Sequence, residues 1–135
     1  MKFQTTTLPG VILIELEPHR DERGFLARSF CQEEFEREGL NTCWLQCNAT
    51  LTRRKGMIRG LHYQAEPQTE TKLIHCTAGA VWDIVVDIRH GASTFGQWEK
   101  FELAAEDLRQ LFPRPLISPF CGAPPGALAC CCCSL

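Results

Sequence analysis

The chain of 135 residues has the length of one domain, and its 44% hydrophobic and 22% charged residues are enough for a buried core. A formal net charge of −2, from 14 basic and 16 acidic residues, argues against a broad surface for nucleic acid or an anionic membrane. Since no apolar run approaches the ~20 residues of a membrane span and no signal peptide is visible, we expect a cytoplasmic protein.

The predicted elements of the first 112 residues are nearly all β-strands. A strand over 11–17 is followed by the turn signal at 21–24 and by a second strand over 25–30. One convincing helix, near 31–38, is short and ends at Gly39. Further strands are predicted over 43–51, 57–63, 71–77, 80–89 and 97–103. Many short strands, spaced by roughly ten residues, predict an all-β sandwich, barrel or jelly roll.

The end of the chain differs in composition from the rest. Five of the nine cysteines lie among the last fifteen residues, and four of them are adjacent, a spacing that cannot close the loops of a disulfide framework. From Pro113 onward the sequence also holds five of the eight prolines and a single charged residue, Arg114. We therefore divide the chain into a body, 1–112, and a divergent Pro/Cys-rich tail, 113–135, which we predict to be irregular.

Two polar residues, Arg59 and His62, interrupt the apolar segment 57–63. An arginine guanidinium is suited to phosphate, and histidine is the side chain that most readily exchanges a proton near neutral pH. A histidine in a strand is also often purely structural, and strict alternation would put the two residues on opposite faces. If both line one pocket, Gly60 must mark a bulge or bend.

Three more polar side chains are candidates for a site on the strands. Lys72 could stabilise an enolate or bind phosphate, or it could be a strand-end lysine whose amine reaches water. Gln46 and Asn48 share one face of the segment 43–51, where two amides could recognise a substrate or face solvent. The basic run at 53–55 is most simply a solvated loop. The residues alone leave these alternatives open.

Short motifs from several parts of the body occur in a fixed order. They are Asp-Glu-Arg-Gly-Phe at 21–25, Gln46-x-Asn48, the segment 56–64 with its block Arg-Gly-Leu-His-Tyr-Gln, Lys-Leu-Ile at 72–74, and the segments 79–89 and 93–96. Together they closely resemble the dTDP-4-dehydrorhamnose 3,5-epimerase family, almost continuously from about Leu8 to Phe112.

The resemblance implies a cupin-like jelly roll (double-stranded β-helix) that forms a homodimer and needs neither a metal nor an organic cofactor. It implies an isomerase that inverts C3 and C5 of a 4-keto-6-deoxyhexose carried on thymidine diphosphate, in the biosynthesis of dTDP-L-rhamnose. His62 is the implied base, and Lys72 is the implied support of the enolate oxygen. The implied substrate ligands are Arg23, Gln46, Asn48 and Arg59, with Arg23 acting across the dimer.

The spacing of possible ligands disfavours a metal-dependent cupin oxygenase. Such barrels commonly carry two histidines separated by one residue, but here Gln64 stands two positions after His62. The other histidines have no ligand-like spacing to it. Cys43 and Cys47 share a strand face without a second pair of ligands, so they are predicted to be small buried hydrophobic residues.

The sequence also departs from the family pattern. Arg28 stands where an acidic residue is common, and Cys47 replaces the aspartate of the usual Gln-Asp-Asn triplet, so two charges near the expected pocket change. After Phe112 the family's catalytic tyrosine and the aspartate paired with the base cannot be placed. We therefore expect a jelly roll that is incomplete at its C-terminus. We attribute the tail to a frameshifted or mis-spliced product, and the alternative is a genuine divergent tail. Two functions stay open: an epimerase whose activity the missing residues put in question, and a non-catalytic sugar-nucleotide-binding remnant.

Overall fold

The structure is a computed structural model that describes residues 1–115 and the backbone of two further strands, 117–123 and 127–134. Within these ranges the chain forms one α-helix, α1 (Gln32–Arg37), and a short 3-10 helix at Ala105–Asp107. The strands are β1 (Lys2–Thr5), β2 (Val11–Glu15), β3 (His19–Asp21), β4 (Gly24–Leu26), β5 (Gln46–Thr52), β6 (Met57–Arg59), β7 (Thr71–Ala78), β8 (Ala80–Asp87), β9 (Trp98–Ala104), β10 (Arg109–Pro113), β11 (Ile117–Ala123) and β12 (Ala127–Ser134).

Ten of these strands form two sheets with antiparallel neighbours. The larger sheet has the order β1-β2-β10-β7-β12-β5, and the smaller has the order β6-β11-β8-β9. Strands β3 and β4 pair only with each other, as a separate hairpin. The prediction of an all-β jelly roll with one short helix is confirmed.

The core lies between the two sheets. Alternate residues of β7 and of β8 point into it, as expected for strands with one buried face. The cluster draws on both sheets and on the connection before β2, and its buried members are Leu8, Val11, Ile74, Cys76, Val81, Val85, Phe101, Leu103 and Leu111. We call the faces that enclose this cluster the inner faces of the sheets.

The outer face of the larger sheet is covered by α1. Phe35 of the helix is fully buried against Ile14, Leu73 and Phe112, and its ring lies 6.1 Å from that of Phe112. The helix is short because Gly39 follows it with φ +64°, a conformation that favours glycine. This layer holds the larger sheet in place behind the core.

The tail contradicts the expectation of irregular structure in the two ranges that are described. Strand β10 crosses the boundary expected after Phe112, β11 lies between β6 and β8, and β12 lies between β5 and β7. The physical reason is the backbone: the flanking strands present rows of N–H and C=O groups, and an inserted strand satisfies them whatever its composition. The division of the chain at residue 112 stays a prediction.

The lengths of two predicted strands also change. Strand β6 ends at Arg59 rather than at residue 63, and β4 covers only Gly24–Leu26. No helix in the described part of the chain is long and apolar enough to cross a membrane. The cytoplasmic location and the absence of a nucleic-acid partner stay predictions.

Candidate active site

Gln46, Asn48 and Lys72 lie on the inner face of the larger sheet. Strand β12 separates β5 from β7, and Gln46 and Lys72 are both register partners of Cys133. Asn48 and Ile74 are likewise both register partners of Cys131, and the side chain of Ile74 belongs to the core between the sheets. Because residues of one row share a face of an antiparallel sheet, all three polar residues line the space between the sheets.

Arg59 lies on the inner face of the smaller sheet. It and Asp83 are both register partners of Cys121, and the Asp83 side chain is only 1% exposed. The Arg59 guanidinium donates hydrogen bonds across the barrel, to the Leu51 carbonyl oxygen at 3.3 Å and to Thr52 Oγ1 at 3.5 Å. Arg59 thus joins the smaller sheet to the strand that carries Gln46 and Asn48.

The Lys72 ammonium is held by two oxygen atoms. Its Nζ lies 2.8 Å from Glu70 Oε1, and the side chains are only 12% and 11% exposed, respectively. The same Nζ donates a hydrogen bond to the carbonyl oxygen of His62, 3.5 Å away. These contacts bring the segment that carries His62 against the start of β7.

The bend predicted at Gly60 is present. Strand β6 ends at Arg59, and Gly60 follows with φ +122°, a conformation that side chains with a Cβ rarely adopt. His62 therefore lies in the connection after the strand and not on the face opposite Arg59. His62 is exposed.

Arg23 is not brought to the other predicted site residues within this chain. It lies in the β3–β4 hairpin with its side chain 84% exposed, and its guanidinium binds the Asp21 carboxylate at 2.6 Å. This hydrogen bonding raises the pKa of Arg23 and lowers the pKa of Asp21. The role of Arg23 as a substrate ligand stays a prediction.

Two acidic residues at the site were not among the predicted site residues. Glu70 lies two positions before Lys72, so its proximity is visible in the sequence, but the ion pair is not. In the sequence Asp83 alternates with the apolar residues Trp82 and Ile84, and this alternation does not indicate which face is buried. The structure shows that the face with the aspartate points inward, while Trp82 on the other face is 52% exposed.

The arrangement can bind an anion and move a proton. Arg59 and Lys72 supply positive charge on the inner faces of the two sheets, the amides of Gln46 and Asn48 supply donors and acceptors, and the segment that carries the His62 imidazole contacts Lys72. Among the described residues there is no group of three or more His, Cys, Asp or Glu side chains that could hold a metal ion.

Comparison with known proteins gives the family of this chain. The family model for dTDP-4-dehydrorhamnose 3,5-epimerase matches residues 5–131. The chain belongs to the dTDP-4-dehydrorhamnose 3,5-epimerase family. It is 42% identical to the dTDP-4-dehydrorhamnose 3,5-epimerase of Shigella flexneri over 123 residues, which are 90% of this chain and 67% of that protein. Four further curated relatives in the family are covered over only 57–61% of their length.

Solved epimerase structures share the fold. The dTDP-4-dehydrorhamnose 3,5-epimerase of Bacillus anthracis, with TDP and PPi bound, superposes with a TM-score of 0.94 at 31% identity, over 98% of this chain and 76% of that one. The Legionella pneumophila enzyme in complex with dTDP-4-keto-L-rhamnose gives a TM-score of 0.90 at 34% identity, over 98% and 70% of the two chains. The predicted cupin-like jelly roll is confirmed.

The two substitutions that set this epimerase sequence apart from its family pattern lie away from the candidate site. Cys47 alternates with Gln46 and Asn48, so it belongs to the outer face of the larger sheet. Arg28 is ion-paired with Glu34 of α1, with Nη1 and Oε1 2.9 Å apart. The expectation that both changes alter charge near the pocket is therefore wrong within this chain.

Proposed function

We propose that this chain is an epimerase that inverts C3 and C5 of a dTDP-4-keto-6-deoxyhexose in dTDP-L-rhamnose biosynthesis. The observation that carries the proposal is that Lys72 and two amides on the larger sheet face Arg59 on the smaller sheet across the space between them, with the segment that carries His62 held against Lys72. The relatives' names support the reaction, and the ligands in the Bacillus anthracis and Legionella pneumophila structures support a nucleotide-sugar substrate.

The chemistry starts from the ketone of the substrate. A 4-ketone acidifies the protons on both neighbouring carbons, so one base can act at C3 and at C5. His62 takes the proton, and the electron pair of the C–H bond moves into the carbonyl group to form an enolate. The Lys72 ammonium donates a hydrogen bond to the enolate oxygen, where negative charge develops. A proton supplied by solvent to the opposite face of the carbon completes the inversion and restores the ketone, and His62 releases the proton that it took to solvent.

Binding of the nucleotide part rests on the arginines and the amides. Arg59 offers a planar guanidinium to the diphosphate, and the amides of Gln46 and Asn48 can pair with sugar hydroxyl groups. No metal or organic cofactor is required in this scheme, because the ketone itself accepts the electron pair.

We further propose that the protein is a homodimer in which Arg23 serves the partner's site. The β3–β4 hairpin supports this, because a two-stranded hairpin alone is marginally stable in water and this one leaves Phe25 and Leu26 53% and 75% exposed. Leu26→Asp should convert the dimer to a monomer in sedimentation equilibrium, while Glu22→Gln on the same hairpin should not. A wild-type chain that sediments as a monomer at all concentrations would contradict the dimer.

Proton exchange with solvent tests the catalytic proposal. The protein is incubated in D2O with dTDP-4-keto-6-deoxyglucose, and deuterium at C3 and C5 is followed by NMR. We expect uptake that disappears in His62→Ala and is unaffected by a chelator. Saturable binding of the substrate without exchange would instead identify the non-catalytic remnant, and exchange that a chelator abolishes would identify metal-dependent chemistry. If the protein shows no binding of the substrate and no exchange, both the epimerase and the non-catalytic remnant are contradicted.

A further inference from the structure

Lys72 and Glu70 form an ion pair on the wall of the candidate site. The Nζ–Oε1 distance is 2.8 Å, and both side chains are nearly buried. Strand β7 begins at Thr71, so Glu70 lies just before the strand while Lys72 lies within it. In an exposed ion pair, water competes for both charged groups, so the side chains are held loosely. Water has little access to a nearly buried pair, which therefore keeps one geometry.

The Lys72 ammonium has one ion-pair partner and one hydrogen-bond acceptor. Its Nζ is paired with the Glu70 carboxylate and donates a hydrogen bond to the His62 carbonyl oxygen. Since an ammonium group has three N–H donors, these two contacts restrict its position and leave it able to donate to a further acceptor. Lys72 is on the inner face of its strand, so that acceptor can be a ligand between the sheets.

We propose that Glu70 is a positioning residue, which holds the Lys72 ammonium where it can donate a hydrogen bond to the oxygen of the enolate. The inference rests on the proposed epimerase function for its chemistry, but the orientation of Lys72 can be measured separately. Glu70 does not touch the reacting atoms; it acts only through Lys72. The hydrogen bond from Lys72 to the His62 carbonyl oxygen also links the position of the ammonium to the connection that carries the base.

The kinetics of deuterium exchange test whether Glu70 affects the reaction. Glu70→Gln keeps the size and an acceptor but removes the charge, so the ammonium loses its strongest partner. We expect the exchange rate at saturating substrate to fall about 10- to 100-fold, the range expected for a small misplacement of a group at a reacting centre. The substrate concentration for half-saturation should change little, because binding by Arg59 and the amides is intact. Glu70→Asp, which keeps the charge on a shorter side chain, should fall between the wild type and Glu70→Gln.

The matched control is Glu66→Gln. Glu66 lies in the same connection between β6 and β7, but it is exposed and outside the candidate site. It should leave the rate and half-saturation unchanged. In a Lys72→Met background, Glu70→Gln should have no further effect on the rate, because the residue acts only through Lys72.

A spectroscopic readout separates orientation from activity. In protein labelled with 15N-lysine, an ammonium held by hydrogen bonds exchanges its protons slowly enough to be observed, and the Lys72 signal is assigned by its loss in Lys72→Met. We expect this signal to be lost in Glu70→Gln, to be weakened in Glu70→Asp and to persist in Glu66→Gln, with the backbone spectrum showing each variant folded. A Lys72 signal that is unchanged in Glu70→Gln, or an unchanged exchange rate in that variant, overturns the positioning role. Loss of the signal in a protein that shows no exchange at all refutes the proposed function and leaves the orientation by Glu70 supported.

Discussion

Gln46 and Lys72 occupy one row of the larger sheet, on the two strands that flank β12, and both face the space between the sheets. Two strand spacings separate their backbones by about 10 Å, a distance that a hexose attached to a phosphate can span. The two residues are therefore suited to different parts of one ligand: Lys72 to the ketone and Gln46 to a hydroxyl group or phosphate. Substitutions at the two positions should consequently affect different kinetic constants.

Lys72→Met should lower the rate of deuterium uptake at saturating substrate by about 100- to 1000-fold, the cost of removing a hydrogen bond to a developing oxyanion. Gln46→Ala should instead raise the substrate concentration for half-saturation by about 2- to 10-fold, as expected for one hydrogen bond of about 0.5–1.5 kcal/mol. Both are read from the D2O exchange experiment at several substrate concentrations.

The control for this pair is Cys47→Ser. Its position is adjacent to Gln46 in the chain but on the outer face of the same strand. It should leave both constants unchanged. A Gln46→Ala variant that loses rate rather than affinity would contradict the assignment of Gln46 to binding.

Arg59→Ala should weaken the binding of thymidine diphosphate about 10- to 100-fold, since a hydrogen bond to a charged group contributes about 1.5–3 kcal/mol. Titration calorimetry measures this directly. Arg54→Ala is the matched control, because Arg54 is an exposed residue of the preceding turn. Arg59 also donates to Leu51 and Thr52, so folding of the variant is checked by circular dichroism. An equal loss of affinity for thymidine diphosphate in Arg59→Ala and Arg54→Ala would indicate general charge attraction rather than a binding site at Arg59.

Much of the strand pattern could be predicted from local sequence. The segment Val11–Glu15 is an apolar run bounded by turn residues, and Ala80–Asp87 has the period of two of a strand with one buried face. The strands β11 and β12 were missed, because their composition resembles an irregular segment and their stability comes from ladders with strands far away in the chain. Local propensity contains no information on such partners.

The candidate site could be predicted only in part, because only some of its features depend on local sequence. Alternation alone places Gln46 and Asn48 on one face, and the glycine at position 60 indicated how Arg59 and His62 could serve one pocket. The contact between Lys72 and Glu70 depends on how the chain enters β7, and the isolation of Arg23 depends on a hairpin that pairs with no other strand of the described chain. Both are tertiary features that residue spacing does not determine.

His75 should make the stability of the protein depend on pH. It lies on the outer face of β7, where burial lowers its pKa below the ordinary value of 6.5, so the folded state favours the neutral imidazole. The unfolded chain then binds more protons in the window below 6.5, and the free energy of unfolding decreases as the pH falls through it. Urea denaturation between neutral and mildly acidic pH measures this slope.

His75→Phe should flatten that slope, since an apolar ring of similar size does not titrate. His90→Gln is the control, because His90 is exposed and stacks on Phe95. It should leave the slope as in the wild type. A slope that survives in His75→Phe would assign the pH dependence to other groups.

Asp87→Asn should destabilise the fold by about 3 kcal/mol, the cost of breaking a buried ion pair from one side. The Asp87 side chain is fully buried, and its carboxylate accepts from Arg89 Nη2 at 2.6 Å, from Arg89 Nε at 2.9 Å and from Thr94 Oγ1 at 2.6 Å. These bonds, with Arg89 first among them, hold the pKa of Asp87 well below its ordinary value of 3.8. The stabilisation is therefore present above pH 3.8 and is lost as the pH falls through the lowered pKa.

The pH dependence distinguishes this ion pair from a simple packing defect. In urea denaturation at pH 7, Asp87→Asn should be less stable than the wild type, and the difference should shrink as the solution is made strongly acidic, because the wild-type carboxylate then becomes protonated. Asp107→Asn, which removes a partly exposed pair with Arg109, should cost no more than about 1 kcal/mol. A difference between Asp87→Asn and wild type that stays constant down to the lowest pH at which the protein folds would show that charge is not what Asp87 contributes.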